Sequence, residues 1–322
     1  MLINLLLFAV GLALVVFSAH WLVDGASSMA RRMRIPDIVI GLTIVAFGTS
    51  APELVVSVIS AMNGQSDVAI GNVIGSNIFN ILGILGICAI IYPLSIQKNT
   101  IWKEVPLSLL AAIIALVVAY DSLFDGNGSN VITRGDGIVL LSFFAIYMYY
   151  TFGVAKSTDM SDIKTDGEHK NYAPWLAAVM VIGGIAGLTF GGKITVENAV
   201  LMARNLGVSD SVIGLTLVAI GTSLPELATS VVATMKRNSD IALGNVVGSN
   251  IFNVFFILGV SSTISPLAPG GITVTDFLVC IGSSIILFIS CFVLRSMRLY
   301  RIEGWTMLLM YLGYTAWLIS KA

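Results

Sequence analysis

Two stretches of this 322-residue chain are close copies of one another. Residues 40–85 read IGLTIVAFGTSAPELVVSVISAMNGQSDVAIGNVIGSNIFNILGIL, and residues 213–258 read IGLTLVAIGTSLPELATSVVATMKRNSDIALGNVVGSNIFNVFFIL. Of the 46 positions, 29 are identical, at a constant offset of 173 and without a gap. The same offset sets Met29–Ala30–Arg31 against Met202–Ala203–Arg204, and Asp24 against Glu197. A duplication of this length requires an architecture that holds two copies of one unit.

The copies are built for lipid. Across the chain 57% of residues are hydrophobic and 11% charged, with a mean hydropathy of +0.93; a soluble domain carries about a quarter charged residues. That excludes a disordered chain and a disulfide scaffold. The balance of 17 Lys+Arg against 18 Asp+Glu leaves no basic excess, so no nucleic-acid partner is expected. Cys88, Cys280 and Cys291 lie in apolar runs without metal-ligand spacing and read as reduced packing residues. His20 and His169 are far apart in sequence and suggest neither catalysis nor a metal.

A membrane-crossing helix needs about 20 mostly apolar residues. Ten candidate spans cover 2–23, 37–62, 67–92, 105–120, 136–155, 173–192, 210–235, 240–264, 273–294 and 303–320, the fourth being short. The first has neither a basic leader nor a small-residue cleavage site, and is expected to persist as a helix. The expected fold is an all-α membrane protein of ten transmembrane helices, with breaks in the second and seventh. A five-helix repeat occupies 1–155, a polar cytoplasmic linker 156–172, and a second five-helix repeat 173–322. Five is odd, so the second repeat enters the membrane from the opposite side and the repeats are inverted. On this plan thirteen of the 17 basic residues share one side, including Arg31, Arg32, Arg34, Lys98, Lys103, Lys236, Arg237 and Arg298. Only Arg134, Lys193, Arg204 and Lys321 fall on the other. The positive-inside rule makes the first side cytoplasmic and leaves both termini extracellular or periplasmic, in the cell (inner or plasma) membrane.

Of the 18 acids, Glu53 and Glu226 lie deep inside apolar spans, at matching positions. A charge at bilayer depth is costly, and no Lys or Arg lies in any span to neutralise it; a bound cation is the natural countercharge. Each Glu follows a helix breaker, in Gly48-Thr49-Ser50-Ala51-Pro52-Glu53 and Gly221-Thr222-Ser223-Leu224-Pro225-Glu226. Proline removes a donor and frees carbonyls near Gly48 and Gly221. Broken helices persist in a membrane where they are buried in protein or line a cavity. Carboxylate, hydroxyl and carbonyl oxygens form a hard-ligand set suited to Na⁺ or Ca²⁺. In the following spans, Asn72, Ser76 and Asn80 share one helical face, as do Asn245, Ser249 and Asn253. Helix–helix hydrogen bonding is the expected role of Asn72, Asn77, Asn245 and Asn250; Ser57 and Ser230 fit either role. Gly71/Gly75 and Gly244/Gly248 are small residues four apart, which permit close helix approach. Asp67 and Asp240 begin their spans and are expected to cap them.

GTSAPE with GNVIGSNIFN, repeated as GTSLPE with GNVVGSNIFN, resembles the two alpha repeats of the calcium/cation antiporter superfamily, and in particular its prokaryotic sodium/calcium exchangers. The resemblance implies that Glu53 and Glu226 are the central cation ligands. It further implies ligation by Thr49, Ser50, Thr222 and Ser223, by the backbone carbonyls of Ala46 and Ala219, and by Ser76 and Ser249, with Asn80 and Asn253 beside the central site. It implies sodium-driven calcium extrusion by sliding of the first and sixth helices over a rigid core. Some relatives carry Asp at a position matching Asn80 or Asn253; with Asn at both, two carboxylates balance one Ca²⁺ or two Na⁺. The potassium dependence associated with an acidic residue in the second repeat of some relatives is not expected.

The expected activity is therefore secondary active exchange of Na⁺ for Ca²⁺ by alternating access, with no enzymatic step, no cofactor and no obligate protein partner. The substrates are Na⁺ and Ca²⁺ and the surroundings are the lipid bilayer. The alternatives are a cation/proton antiporter using the same carboxylates, a passive cation channel, and an intramembrane enzyme. The last lacks a nucleophile–base pair or a His/Cys ligand set.

Overall fold

The structure, a computed structural model, describes residues 2–126, 130–157, 171–206, 219–293 and 297–321. The chain runs through α1 (Leu2–Met33), α2 (Asp37–Thr49), α3 (Ala51–Met62), α4 (Ser66–Ile91), α5 (Thr100–Ala119), α6 (Arg134–Ser157) and α7 (Pro174–Asn205). It continues through α8 (Ala219–Thr222), α9 (Leu224–Met235), α10 (Ser239–Ile264), α11 (Val274–Val293) and α12 (Arg301–Lys321). Seven of these are long and apolar enough to cross a membrane: α1, α4, α5, α6, α7, α10 and α11. The pair α2–α3, bent by 47° at Ser50, makes an eighth. The other two spans read from the sequence correspond to α12 and to α8–α9, whose expected beginning, with residues 210–218, lies outside the described residues. So does most of the expected linker, residues 158–170.

Hydropathy places the ends of two helices too early. The first and sixth spans, expected over 2–23 and 173–192, belong to helices of 32 residues each. Each helix runs on past the apolar run, through 24–33 and 193–205, where charged residues return. A 32-residue helix is about 48 Å long. That exceeds the hydrocarbon thickness of about 30 Å, so each must tilt or project from the bilayer.

The seam between α1 and α7 is lined with glycine. A methyl at Gly11 would fall 2.6 Å from Thr195 Oγ1, one at Gly25 2.9 Å from the Ala177 carbonyl, and one at Gly184 2.8 Å from Leu22 N. These contacts run in opposite directions along the two chains, so the helices lie antiparallel. Small residues let backbones touch where lipid supplies no hydrophobic drive. α4 and α10 form the centre and are the most deeply buried of the long apolar helices described. Gly244 and Gly248 make the expected close approach: a methyl there would fall 2.8 Å from the Ile38 carbonyl and 2.8 Å from Ala46 Cβ. Residues 211–218, most of the segment that the repeat would set against Gly71 and Gly75, lie outside the described residues; among the described residues a methyl at Gly75 would meet nothing within 4 Å.

Loops meet in two groups. β1 (Leu94–Ser95) pairs antiparallel with β2 (Arg298–Leu299), while Gln97 Nε2 donates to Asp240 Oδ2 (2.5 Å) and Arg32 Nε to the Tyr172 carbonyl (2.6 Å). Elsewhere Ile132 bridges Leu267, and the Tyr120 hydroxyl donates to the Ile272 carbonyl.

The capping reading needs correction. α10 is capped by Asn238, whose Oδ1 accepts from Ile241 N (3.0 Å), so Asp240 is a first-turn residue bonded to Gln97. Asp67 likewise sits in the first turn of α4, where its Oδ1 accepts from its neighbour Val68 N (3.0 Å). An acidic side chain in a first turn still favours the positive helix end.

Candidate ion-binding site

The site forms where the two broken helices meet α4 and α10. The backbone leaves helical geometry at Ser50 (φ −80°, ψ 6°) and Ser223 (φ −87°, ψ 11°), each two residues before a proline. Pro52 and Pro225 sit in the first turns of α3 and α9, where a missing N–H is tolerated. The residue after each proline is the buried glutamate: Glu53 is 0% and Glu226 1% exposed. Each therefore stands at the N-terminal end of a half-helix, inside the protein.

Four cross-copy bonds at this site have a mate in which the partners are exchanged; the Ser76–Ser223 contact does not. Ser50 Oγ donates to Glu226 Oε1 (2.9 Å), and Ser223 Oγ to Glu53 Oε1 (3.0 Å). Thr49 Oγ1 donates to Asn245 Oδ1 (3.0 Å), and Thr222 Oγ1 to Asn72 Oδ1 (3.3 Å). Asn77 and Asn250 each donate to the other's backbone carbonyl at 3.2 Å. Asn80 Nδ2 reaches Asn250 Oδ1 (2.9 Å), and Asn253 Nδ2 reaches Asn77 Oδ1 (3.0 Å). Serine and carboxylate are thus supplied by opposite copies, and neither half makes this site alone.

Within each copy the asparagines do the scaffolding expected of them. Asn72 Nδ2 donates to the Glu53 carbonyl (3.2 Å) and Ser57 Oγ (2.9 Å), as Asn245 does to the Glu226 carbonyl (3.3 Å) and Ser230 Oγ (3.0 Å). Ser57 and Ser230 thereby belong to the scaffold. Thr49 also donates to the Ala46 carbonyl (3.3 Å), which accepts from Ser50 N (3.0 Å) too; Ala219 opens α8 at the matching position. Ser76 Oγ lies 3.0 Å from Ser223 Oγ, whose proton is committed to Glu53, so Ser76 is the donor there. Ser249 lies beside the Glu226 carboxylate, its hydroxyl outside good hydrogen-bond geometry.

Four buried acceptors at the site have no hydrogen-bond partner: Glu53 Oε2, Glu226 Oε2, Asn80 Oδ1 and Asn253 Oδ1. They form two pairs related by the repeat, and the two carboxylates lie within electrostatic reach of each other. The described ion pairs, Lys193–Glu197 and Lys236–Asp24, are elsewhere. Buried acceptors of this kind need a donor or a cation, since leaving them bare costs about 1–3 kcal/mol each and more when charged. No group of three His, Cys, Asp or Glu assembles among the described residues; the donor set is two carboxylates with amide, hydroxyl and carbonyl oxygens.

Hydropathy missed two features. Asn80 and Asn253 stand in π-helical stretches, Phe79–Leu85 and Phe252–Leu258, which widen the backbone beside the site. Glu104, one residue before the expected fourth span, is buried in the first turn of α5 and accepts from Tyr150 (2.6 Å). In the second half Asp276 accepts from Tyr314 (2.6 Å) in the same way. The visible signal was Tyr-x-x-Tyr, at Tyr147/Tyr150 and again at Tyr311/Tyr314.

The sequence profile of the family described as sodium/calcium exchanger protein matches residues 3–153 and 176–320, one block for each half. The chain belongs to that family. It is therefore a membrane antiporter of the cation/calcium exchange type. Among relatives, the inner membrane protein YrbG of Escherichia coli (strain K12) is 36% identical over 83% of this chain and 81% of its own length. The sodium/calcium exchanger MaX1 of Methanosarcina acetivorans is 29% identical over 97% of both chains. The fold matches the sodium-calcium exchanger NCX_Mj with a TM-score of 0.83 at 33% identity, covering 98% of this chain and 99% of that one.

Proposed function

We propose that this protein exchanges Na⁺ for Ca²⁺ by alternating access, with both ions competing for one site between the repeats. The observation that carries this reading is the set of four partnerless buried oxygens on Glu53, Glu226, Asn80 and Asn253. The carboxylates are the central ligands in this proposal, and Thr49, Ser50, Thr222, Ser223, Ser76 and Ser249 supply hydroxyl oxygens around them. Ion binding at the Ala46 carbonyl would compete with the Thr49 hydroxyl that now donates to it. Ala219 takes the same role in the second copy.

The proposed frame is ten crossings in two inverted five-helix repeats. Its support is the exchange of partners in four pairs of cross-copy bonds, as expected for two units related by a two-fold axis. Loop pairing adds to it. Residues 94–95 and 298–299, assigned to the cytoplasm by charge, pair together; Ile132 and Leu267, assigned outside, do likewise. Both termini are then outside.

Charge decides when the site can close. Occluding two bare carboxylates in low dielectric is costly, so the reorientation step requires one Ca²⁺ or at least two Na⁺. Each net charge carried across adds about 2.3 kcal/mol per 100 mV of membrane potential. Protons compete for the same carboxylate oxygens, so acidification is expected to slow Ca²⁺ uptake and raised Ca²⁺ to relieve the inhibition. Inhibition that Ca²⁺ does not relieve would place the proton elsewhere.

The exchange reading is tested by radiolabelled Ca²⁺ uptake into proteoliposomes, with Na⁺, K⁺ and H⁺ gradients imposed one at a time. An outward Na⁺ gradient alone should drive uptake. Uptake driven by a pH gradient without Na⁺ would make the protein a cation/proton antiporter. Equilibration without counter-ion would make it a channel.

A further inference from the structure

Apart from the Ser76–Ser223 contact, the bonds between the copies at the ion site obey the exchange of repeats, but the contacts of α1 and α7 with the rest of the protein depart from it more widely. At one end, α1 is fastened to the turn between α9 and α10. Lys236 Nζ lies 2.5 Å from Asp24 Oδ1, and Asn238 Nδ2 donates to Ser27 Oγ (3.1 Å) and to Asp37 Oδ2 (2.6 Å). Between them Arg237 holds a left-handed φ of 57°, its guanidinium 5.5 Å from the Tyr92 ring centre. A non-glycine residue in that region has to be held there by its surroundings.

At the other end the counterparts are loose. Asn63, Gly64 and Gln65 are all exposed, with Gly64 taking the left-handed φ of 72° freely. Glu197, the counterpart of Asp24, has a side chain 60% exposed and pairs only within its own helix, with Lys193 at 3.8 Å among the described ion pairs. The helix breaks carry the same asymmetry. α7 lies against both, with Ile185 nearest to Gly48 and Val196 nearest to Gly221 among the described residues. Strict exchange would set Leu12 against Gly221, yet Leu12 is 41% exposed.

We propose that Asp24 and Lys236 form a gate latch, closed here and opened once per transport cycle, which ties the α1–α7 pair to the remainder at the cytoplasmic end. In the opposite-facing state Glu197 reaches Asn63 instead. The inference rests on the alternating-access reading. Exchanging the roles of inverted repeats converts one facing state into the other, so the contacts missing here are those the other state makes. The two latches are unequal. One is a charge-assisted ion pair and the other joins a carboxylate to a neutral amide, so the cytoplasm-closed state is favoured.

The test uses an Asn63→Cys variant in proteoliposomes, labelled with a membrane-impermeant maleimide; the native Cys88, Cys280 and Cys291 are buried. Asp24→Asn or Lys236→Gln is expected to slow labelling at position 63 by up to about threefold. The paired exchange Asp24→Lys with Lys236→Asp should restore it. Unchanged labelling in both single variants, or slowing that persists in the exchanged pair, would overturn the latch. A second arm joins cysteines introduced by Asp24→Cys and Lys236→Cys with a short bifunctional maleimide. The link should stop ion flux, and full flux with the link in place would also overturn the proposal. Labelling does not depend on which ions move. A chain that shows the expected labelling but no Na⁺-driven Ca²⁺ uptake would lose the ion assignment and keep the latch.

Discussion

At the scale of single residues, the site is defined by what its side chains are short of. Ser50 and Ser223 each supply one oxygen of the opposite copy's glutamate with a proton. The other oxygen of each carboxylate, and the amide oxygens of Asn80 and Asn253, are left for a ligand. Because the two serines hold equivalent places, Ser50→Ala and Ser223→Ala should weaken apparent Ca²⁺ affinity to a similar degree. Loss of a hydrogen bond to a charged group is worth about 1.5–3 kcal/mol, roughly ten- to a hundredfold in affinity. Calcium titration of uptake in both variants measures it; a large effect in one and none in the other would break the equivalence. Glu53 and Glu226 were legible from sequence because an acid without a basic partner in an apolar span has few explanations. Glu104 was not, because the apolar run was counted from Val105 and the buried turn of α5 begins at Thr100.

At the scale of elements, glycine sets how closely helices approach. A methyl at Gly244 would fall 2.8 Å from the Ile38 carbonyl and 3.0 Å from Gly41 Cα, both backbone, which has little room to yield. Gly244→Ala should therefore cost about 1–3 kcal/mol, as overpacking does, read as a lower melting temperature in detergent. Gly313→Ala in α12, where no neighbour lies within 4 Å among the described residues, should leave melting unchanged or raise it slightly. Equal destabilisation by both would mean that close approach is not what Gly244 provides. The repeat was readable through α2–α4 and α9–α10 because the connections there match in length and hold the offset at 173. Beyond them it slips, to 172 between Glu104 and Asp276 and 164 between Tyr150 and Tyr314, so these equivalent acid–tyrosine bonds appear only in three dimensions. The π-helical stretches were hidden for another reason: one extra residue in a turn leaves no mark on a uniformly apolar sequence.

At the scale of the molecule, the proposed plan has an odd number of crossings per repeat, which would turn duplication into two-sided access. The same oxygens then face either solution, provided α1 and α7 shift over the centre formed by α4 and α10. The orientation assigned from basic residues has a direct check. A cysteine at Lys321 should react with an impermeant maleimide from outside intact cells, and one at Arg34 should react only after the membrane is opened. The reverse pattern would invert the protein, and equal reactivity at both sites would remove the odd crossing number on which the repeat argument depends. The central claim is that one pair of carboxylates, one from each repeat, is the site shared by Na⁺ and Ca²⁺. It is tested most directly by Na⁺-gradient-driven Ca²⁺ uptake in Glu53→Gln and Glu226→Gln, each preserving side-chain shape while removing the charge. Both variants should fold, reconstitute and lose uptake; uptake retained in either would contradict the shared site.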